Sequence, residues 1–198
     1  MKHVILTLIN FVNDKPLLDK YLIFTKSILV SALKSQTEKN FTWIILTNPE
    51  INSYLKKELD YPFLSMFGIS QYIDYVKSNN VNIQTRHDCD DYMSPDYIKE
   101  IQKKYTDNIQ KYNSFLIQSQ PVKLIYKTGI EVSLPAYTNT RCSMFLSLCQ
   151  KTCINHIFAK KHPNMYEITN NIITLPEGYT KWVIHGNNLS IVRGNIKK

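Results

Sequence analysis

Residues 81–98 read VNIQTRHDCDDYMSPDYI, and the reading of this stretch decides the fold. Val81 to His87 alternate in the manner of a β-strand with one face buried. The strand runs directly into three carboxylates within four positions, Asp88, Asp90 and Asp91. Ser94-Pro95-Asp96 then reads as a helix start, with Ser as N-cap, Pro at the first helical position and Asp facing the positive end of the helix dipole. The helix it opens is expected to reach about Lys111, burying Ile98, Ile101, Tyr105 and Ile109. The unit is strand, acidic turn, helix.

The same alternation extends upstream. Residues 3–12 (HVILTLINFV) and 41–47 (FTWIILT) are short apolar runs rich in β-branched residues, the pattern of strands covered on both faces. Between them Leu17, Leu18, Tyr21, Leu22, Ile28, Leu29, Ala32 and Leu33 recur at helical spacing over 17–35. A short helix is expected from about Glu50 to Leu59, a strand near Phe63–Phe67 and a helix over Ser70–Lys77. Elements that alternate in this way imply an α/β sheet with right-handed crossovers, and such sheets bind ligands beyond the carboxyl ends of their strands. The acidic turn falls at one of those ends.

The second half is mixed. Residues 114–118, 122–127 and 130–134 read as short strands, with Lys127-Thr128-Gly129 as a hairpin turn. Residues 143–160 are expected to be helical, and 165–175 to hold one or two strands. No repeat and no linker divides the chain.

Composition narrows the function classes. The 198 residues suit a single domain with a real core. The net charge of +8, from 24 basic and 16 acidic residues, suits a polyanionic partner: nucleic acid, an anionic membrane surface or a phosphorylated small molecule. The lysines are scattered in short pairs, the distribution of a solvated surface, and no RNP-like, zinc-finger or helix-turn-helix signature supports nucleic acid. Cys89, Cys142, Cys149 and Cys153 form no CxxC pair; Cys149, Cys153 and His156 lack a fourth ligand at zinc spacing. Free thiols, an apolar start without a cleavage site and the lack of a window of about 18 apolar residues lead to the expectation of a cytosolic protein.

Asp88 and Asp90 point to one side of an extended or turning segment, and like charges held close call for a cation. Hard oxygen ligands suit Mg²⁺ or Mn²⁺, with a bound diphosphate completing the shell. Taken alone, such a short acidic pattern also describes a solvated turn that caps the next helix.

Thr85 through Ile98 closely resembles the acidic segment of the rhamnosyltransferase-like family of GT-A glycosyltransferases, whose pattern is Arg-x-Asp-x-Asp-Asp-x-x-Ser-x-x-(aromatic)-(aliphatic). Phe24–Leu29 through Ser35-Gln36-Thr37, with Phe41–Thr47, resembles that family's first helix, its Gln-Thr end and the next strand. Trp182-Val183-Ile184-His185-Gly186-Asn187-Asn188-Leu189-Ser190 resembles its C-terminal Trp…His-Gly…Asn…Ser signature. The resemblance implies one GT-A-like domain over 1–198: a Rossmann-like, mixed and mostly parallel sheet flanked by helices. Residues 1–111 would form the nucleotide-sugar-binding half, and 112–198 the acceptor half.

It further implies a hexosyltransferase-type activity that moves a sugar from a nucleotide-diphosphate donor to a glycan or other hydroxyl acceptor. Asp90 and Asp91 would be direct or water-bridged metal ligands, and Asp88 would face the ribose or the metal's outer shell. His185 would join the metal, which favours Mn²⁺ over Mg²⁺. Arg86, Arg193 or a nearby Lys would bond phosphate, although Arg86 serves equally as a partner for Asp88. Gly186 would let backbone approach the phosphates.

Two departures stand out. Where the general base is expected, Ser143–Lys151 offers no carboxylate; Gln150 is the nearest polar group, and Glu131, Glu167 and Glu177 are the other candidates. Where relatives tend to carry an Arg after the first strand, this chain has Leu8-Ile9-Asn10. Both leave room for a weakened transferase that serves as a binding module for sugar nucleotide or nucleic acid. A nucleotidyltransferase would bring a Gly-rich loop, and residues 10–16 contain no Gly. The family label does not fix the sugar. At 198 residues the acceptor side is short, so an oligomer or a partner enzyme can supply the rest.

Overall fold

The computed structural model describes residues 1–9, 15–120, 122–125, 129–133 and 145–184. In chain order the elements are β1 (His3–Leu8), α1 (Lys15–Phe24), α2 (Ser31–Ser35), β2 (Thr42–Leu46), α3 (Pro49–Glu58), β3 (Leu64–Met66), α4 (Ile69–Ser78), β4 (Ile83–Arg86), β5 (Tyr92–Met93), α5 (Tyr97–Asn108), β6 (Ser114–Ser119), β7 (Val122–Ile125), β8 (Ile130–Ser133), β9 (Leu146–Gln150), β10 (Ile172–Leu175) and β11 (Thr180–Ile184). A π-helical run, Thr25–Val30, joins α1 to α2, so the helix expected over 17–35 is continuous but widened in its middle. A 3-10 turn spans His162–Glu167.

Among the described residues the strands form a seven-stranded sheet, β10-β6-β9-β4-β1-β2-β3, and a four-stranded sheet, β5-β11-β7-β8. β1, β2, β3 and β4 run parallel, as do β6 and β10; β9 runs antiparallel to both its neighbours. The mixed, mostly parallel sheet flanked by helices expected from the sequence is what the chain builds.

Period-two alternation sends neighbouring residues to opposite faces. Ile5, Trp43, Ile45, Ile83, Phe115, Ile117 and Cys149 pack with α1, α2, α3 and α5 on one side. Val4, Leu6, Ile44, Leu46, Leu116 and Leu148 pack with Tyr72 and Val76 of α4 and with Ile157 and Met165 on the other. Trp43 anchors the first side: its indole N–H donates to Thr7 Oγ1 at 3.0 Å, and Tyr61 and Phe63 meet its ring edge-on. Sequence punctuation sets α3: the Asn48 side chain accepts from Glu50 N, Pro49 follows it, and Lys56 and Lys57 occupy the last turn.

The helix expected over 143–160 is not formed. From 145 onward the chain is extended, and β9 lies between β4 and β6 with every residue buried. Burial on both faces erases alternation, and a short apolar run such as FLSLCQ then reads alike as strand or helix. The Cys149, Cys153 and His156 side chains therefore do not share a helix face. The expected hairpin is present, with β7 antiparallel to β8 and Gly129 in the left-handed region at φ +68°. Lys127 and Thr128 lie outside the described residues.

A polar thread crosses the centre of the sheet. His3 Nε2 lies 2.7 Å from Thr85 Oγ1, which lies 2.7 Å from Ser147 Oγ, linking β1, β4 and β9. Burial depresses the His3 pKa to about 3. Between that value and the unfolded histidine value near 6.5, the unfolded chain binds a proton the fold refuses, so stability is lost as pH falls through this window. The slope approaches about 1.4 kcal/mol per pH unit once the unfolded side chain is protonated. His3→Gln is expected to flatten the wild-type stability profile between pH 6 and 4, measured by urea unfolding at each pH (pH range set by the ~6.5 reference value). An unchanged slope would show that His3 does not titrate in this way.

Candidate active site

β4 carries the chain to the carboxyl end of the parallel strands, where His87 N still donates to Leu6 O at 2.9 Å. The backbone then turns, with Asp91 N approaching Asp88 O at 3.4 Å, and leaves the large sheet. It enters the small sheet as β5, which pairs antiparallel with β11 through Met93–Thr180 and Tyr92–Lys181. Asp88 to Asp91 therefore form the corner between the two sheets. This is the position at which open α/β sheets bind ligands.

The three carboxylates differ in surroundings. The Asp88 side chain is 43% exposed and lies 3.4 Å from the Arg86 guanidinium. Asp90 and Asp91 are buried, at 8% and 2% exposure. Asp91 Oδ1 accepts the Val183 backbone N–H of β11 at 2.9 Å, a bond spanning 92 positions. Burial, followed by the nearby charges of Asp90 and Asp88, pushes the Asp91 carboxyl well above the ordinary aspartate range, against the pull of that hydrogen bond. Crowded negative charge of this kind is what a divalent cation relieves, and the donors are the hard oxygens that Mg²⁺ and Mn²⁺ take. Among the described residues, no group of three His, Cys, Asp or Glu side chains converges on one point. Diphosphate oxygens or groups beyond these residues would have to complete a metal's shell.

Arg86 turns toward Asp88 and also lies over the Phe158 ring at 5.6 Å. His87 is buried between Tyr97 and Phe145; its Nδ1–H donates to Asp88 O at 3.0 Å, and Nε2 has no hydrogen-bond partner among the described residues. Burial lowers its pKa, so the ring is neutral. Cys89 packs into the helical side of the core, and burial, then Asp90 and Asp88, drives its thiol well up. It is a buried, unreactive thiol rather than a nucleophile.

The exit from the turn is not capped by Ser94. Its Oγ is buried without a partner among the described residues, while its backbone N–H donates to Tyr179 O, which keeps Ser94 in the ladder with the β11 arm. The helix begins at Tyr97, and the cap comes from Gln36 at the end of α2. Gln36 Oε1 accepts Ile98 N–H at 3.1 Å, and its Nε2 donates to Ser94 O at 2.7 Å and Ala32 O at 3.0 Å. Thr37 adds N–H to Pro95 O at 2.8 Å and hydroxyl to Asp96 Oδ1 at 2.8 Å. Sequence reading marked Gln36-Thr37 only as a helix end. Its signal as a clamp lay in a buried amide placed just past an amphipathic run.

The other candidates scatter. Gln150 is corrected by the direction of β9: Arg86 pairs with Leu146 and Ile83 with Cys149, so Gln150 lies past the start of β4, at the opposite end of the sheet from the acidic turn. Its Oε1 accepts from Ile154 and Asn155 N–H, and it is no general base for this site. Glu131 sits on β8, the edge of the small sheet farthest from β5. Glu167 pairs with Lys160 at 2.8 Å, and Glu177 is exposed beside Gly178 in the turn before β11. His185, Gly186 and Arg193 lie outside the described residues; β11 ends at Ile184, immediately before His185. Among the described residues no helix is long and apolar enough to cross a membrane.

No family model matches the sequence, and no curated protein sequence matches it. Solved structures do match in shape. S. aureus TarS residues 1–349 in complex with UDP-GlcNAc superposes over 93% of this chain and 59% of that one, with a TM-score of 0.54 at 14% identity. The same portion of S. aureus TarS in complex with UDP gives a TM-score of 0.53 at 12% identity, over 93% of this chain and 61% of that one. This chain spans about three fifths of the length of those proteins. The likeness establishes the fold alone: the GT-A arrangement, a mixed, mostly parallel sheet flanked by helices.

Proposed function

From a GT-A sheet bearing an acidic turn at its carboxyl edge, we propose that this chain is a glycosyltransferase. It would move a sugar from a nucleotide-diphosphate donor to an acceptor hydroxyl with the help of Mn²⁺ or Mg²⁺. The observation that carries the reading is the placement of Asp88 and Asp90 at the corner between the sheets, where β4 ends and β5 joins β11. TarS, which shares this fold, has been solved with UDP-GlcNAc bound; a nucleotide-sugar donor is proposed here by that analogy of fold.

Asp90 and Asp88 would hold the cation, with diphosphate oxygens and His185 as further donors. When bound, the metal supplies Lewis-acid charge neutralisation at the departing diphosphate. The chain's own residues prepare the place. Arg86 orients Asp88 and is within reach of an anion beside it. His87 fixes the Asp88 carbonyl, and the buried walls around Asp90 exclude water, which strengthens each charge interaction. The first half of the chain is assigned to the donor and the second to the acceptor.

A second reading has one observation in its favour: Gln150 lies at the opposite end of the sheet from the turn, and Glu167 is paired with Lys160. A donor-binding module with weakened transfer fits that arrangement. Incubating the chain with a panel of nucleotide-sugars and Mn²⁺ separates the two. The transferase is expected to release nucleoside diphosphate in a reaction that chelation stops. Tight, metal-dependent binding without any release supports the module. Salt-sensitive binding of RNA or DNA, indifferent to the acidic turn, would instead make the basic surface the functional one.

A further inference from the structure

We propose that Asp91 is a positioning residue, whose carboxylate stands in for a missing backbone carbonyl and fastens the end of β11 to the acidic turn. The β5–β11 ladder is short, with Met93 opposite Thr180 and Tyr92 opposite Lys181. Continued two steps, it would need the backbone of Asp90, in the acidic segment, to face Val183. That segment has already turned away, with Asp91 N bent back toward Asp88 O. Val183 is fully buried at 0% exposure, so an unmet N–H there would cost about 1–3 kcal/mol. The Asp91 side chain supplies the acceptor at 2.9 Å, which is the length of a well-formed N–H···O bond.

The consequence is a division of labour inside the acidic cluster. Asp91 is 2% exposed and spends an oxygen on the backbone of β11. The Asp88 side chain is 43% exposed and is the part of the turn open to solvent, whereas Asp90, proposed above as a cation ligand, is buried at 8% exposure. The bond also holds β11 at Val183, two positions before His185 (185 − 183) and one before the strand's last residue, Ile184. The acidic turn and the C-terminal strand therefore move as one piece, although their sequences lie far apart. The catalytic meaning of the tie rests on the donor-site reading above; the tie itself does not.

Three variants of the whole chain test this: Asp91→Asn, Asp91→Ala and Asp90→Asn. Amide hydrogen exchange at Val183, without ligand, reads the tie; calorimetric titration with Mn²⁺ alone and with Mn²⁺ plus UDP reads the cation. Asparagine keeps a carbonyl oxygen at the same reach and loses only the charge. Asp91→Asn is expected to hold Val183 exchange and Mn²⁺ affinity within about threefold of wild type, whereas Asp91→Ala speeds that exchange at least about tenfold, the factor equivalent to ~1.4 kcal/mol. Asp90→Asn should leave Val183 protected and weaken Mn²⁺ binding at least about tenfold. An Asp91→Asn protein that loses Mn²⁺ as Asp90→Asn does, or that exposes Val183, overturns the proposal. So does an Asp91→Ala protein with unaltered exchange. If wild type binds no Mn²⁺, the metal reading fails while the Val183 exchange rates still decide the tie.

Discussion

Asp90→Ala is expected to lower metal-dependent release of nucleoside diphosphate by on the order of 10²–10³-fold, the loss seen when one group that stabilises transition-state charge is removed. The expectation follows from position. Asp90 lies in the middle of the turn between the sheets, 8% exposed, next to carboxylates whose mutual repulsion a cation relieves. On the proposed reading, removing it would delete a hard oxygen ligand from a low-dielectric corner where no water readily replaces it. Asp88→Ala should cost less, because that side chain is half exposed and already shared with Arg86. The measurement is kcat/KM for nucleotide-sugar breakdown against Mn²⁺ concentration, with a melting curve of each variant alongside. A folded Asp90→Ala protein that turns over donor with wild-type metal dependence would place the chemistry elsewhere.

Gln36→Ala is expected to cost about 1–3 kcal/mol of stability. The side chain is 2% exposed and makes bonds to Ile98 N–H, Ser94 O and Ala32 O. Truncation strands the Ile98 N–H, a helix N-terminal donor, in a buried corner, where an unmet group costs about 1–3 kcal/mol; Ser94 O keeps Tyr97 N–H and Ala32 O keeps the Ser35 hydroxyl. The loss should reach the active site as well, since the same amide holds the segment that leaves the acidic turn. Denaturant melts measure the first effect, and faster amide exchange at Ile98 relative to Ile83 measures the second. A loss below about 1 kcal/mol would show that Ser94 or water takes over the cap.

Much of this was legible in the sequence because it is local. The apolar runs within 3–12 and 41–47, which form β1 and β2, the acidic turn after a strand and the short helix expected from about Glu50 all depend on a few neighbouring residues. The illegible parts are nonlocal. Leu146 to Gln150 read as helix because a strand buried on both faces carries no alternation, and the antiparallel direction of β9 then carried Gln150 to the wrong end of the sheet. Ser94 has the right residue type for a cap, yet pairing with the β11 arm keeps it from that role, and Gln36 arrives from 62 positions away. The Asp91–Val183 bond could not be read from spacing, since only the sheet order brings β5 beside β11. The clustering of Asp88, Asp90 and Asp91 was visible; the bond that sets Asp91 apart from its neighbours was not.

The central claim is that the acidic turn of this GT-A fold binds a nucleotide-sugar through a divalent cation. Differential scanning fluorimetry of the wild-type chain with a panel of nucleotide-sugars, with and without Mn²⁺, tests it most directly. At about 100 times the dissociation constant, a ligand that binds only the folded state adds ~2.7 kcal/mol, which is several degrees in Tm for a chain of this size. At least one nucleotide-sugar is expected to raise the Tm by that much only when Mn²⁺ is present. No metal-dependent shift with any member of the panel would contradict the claim.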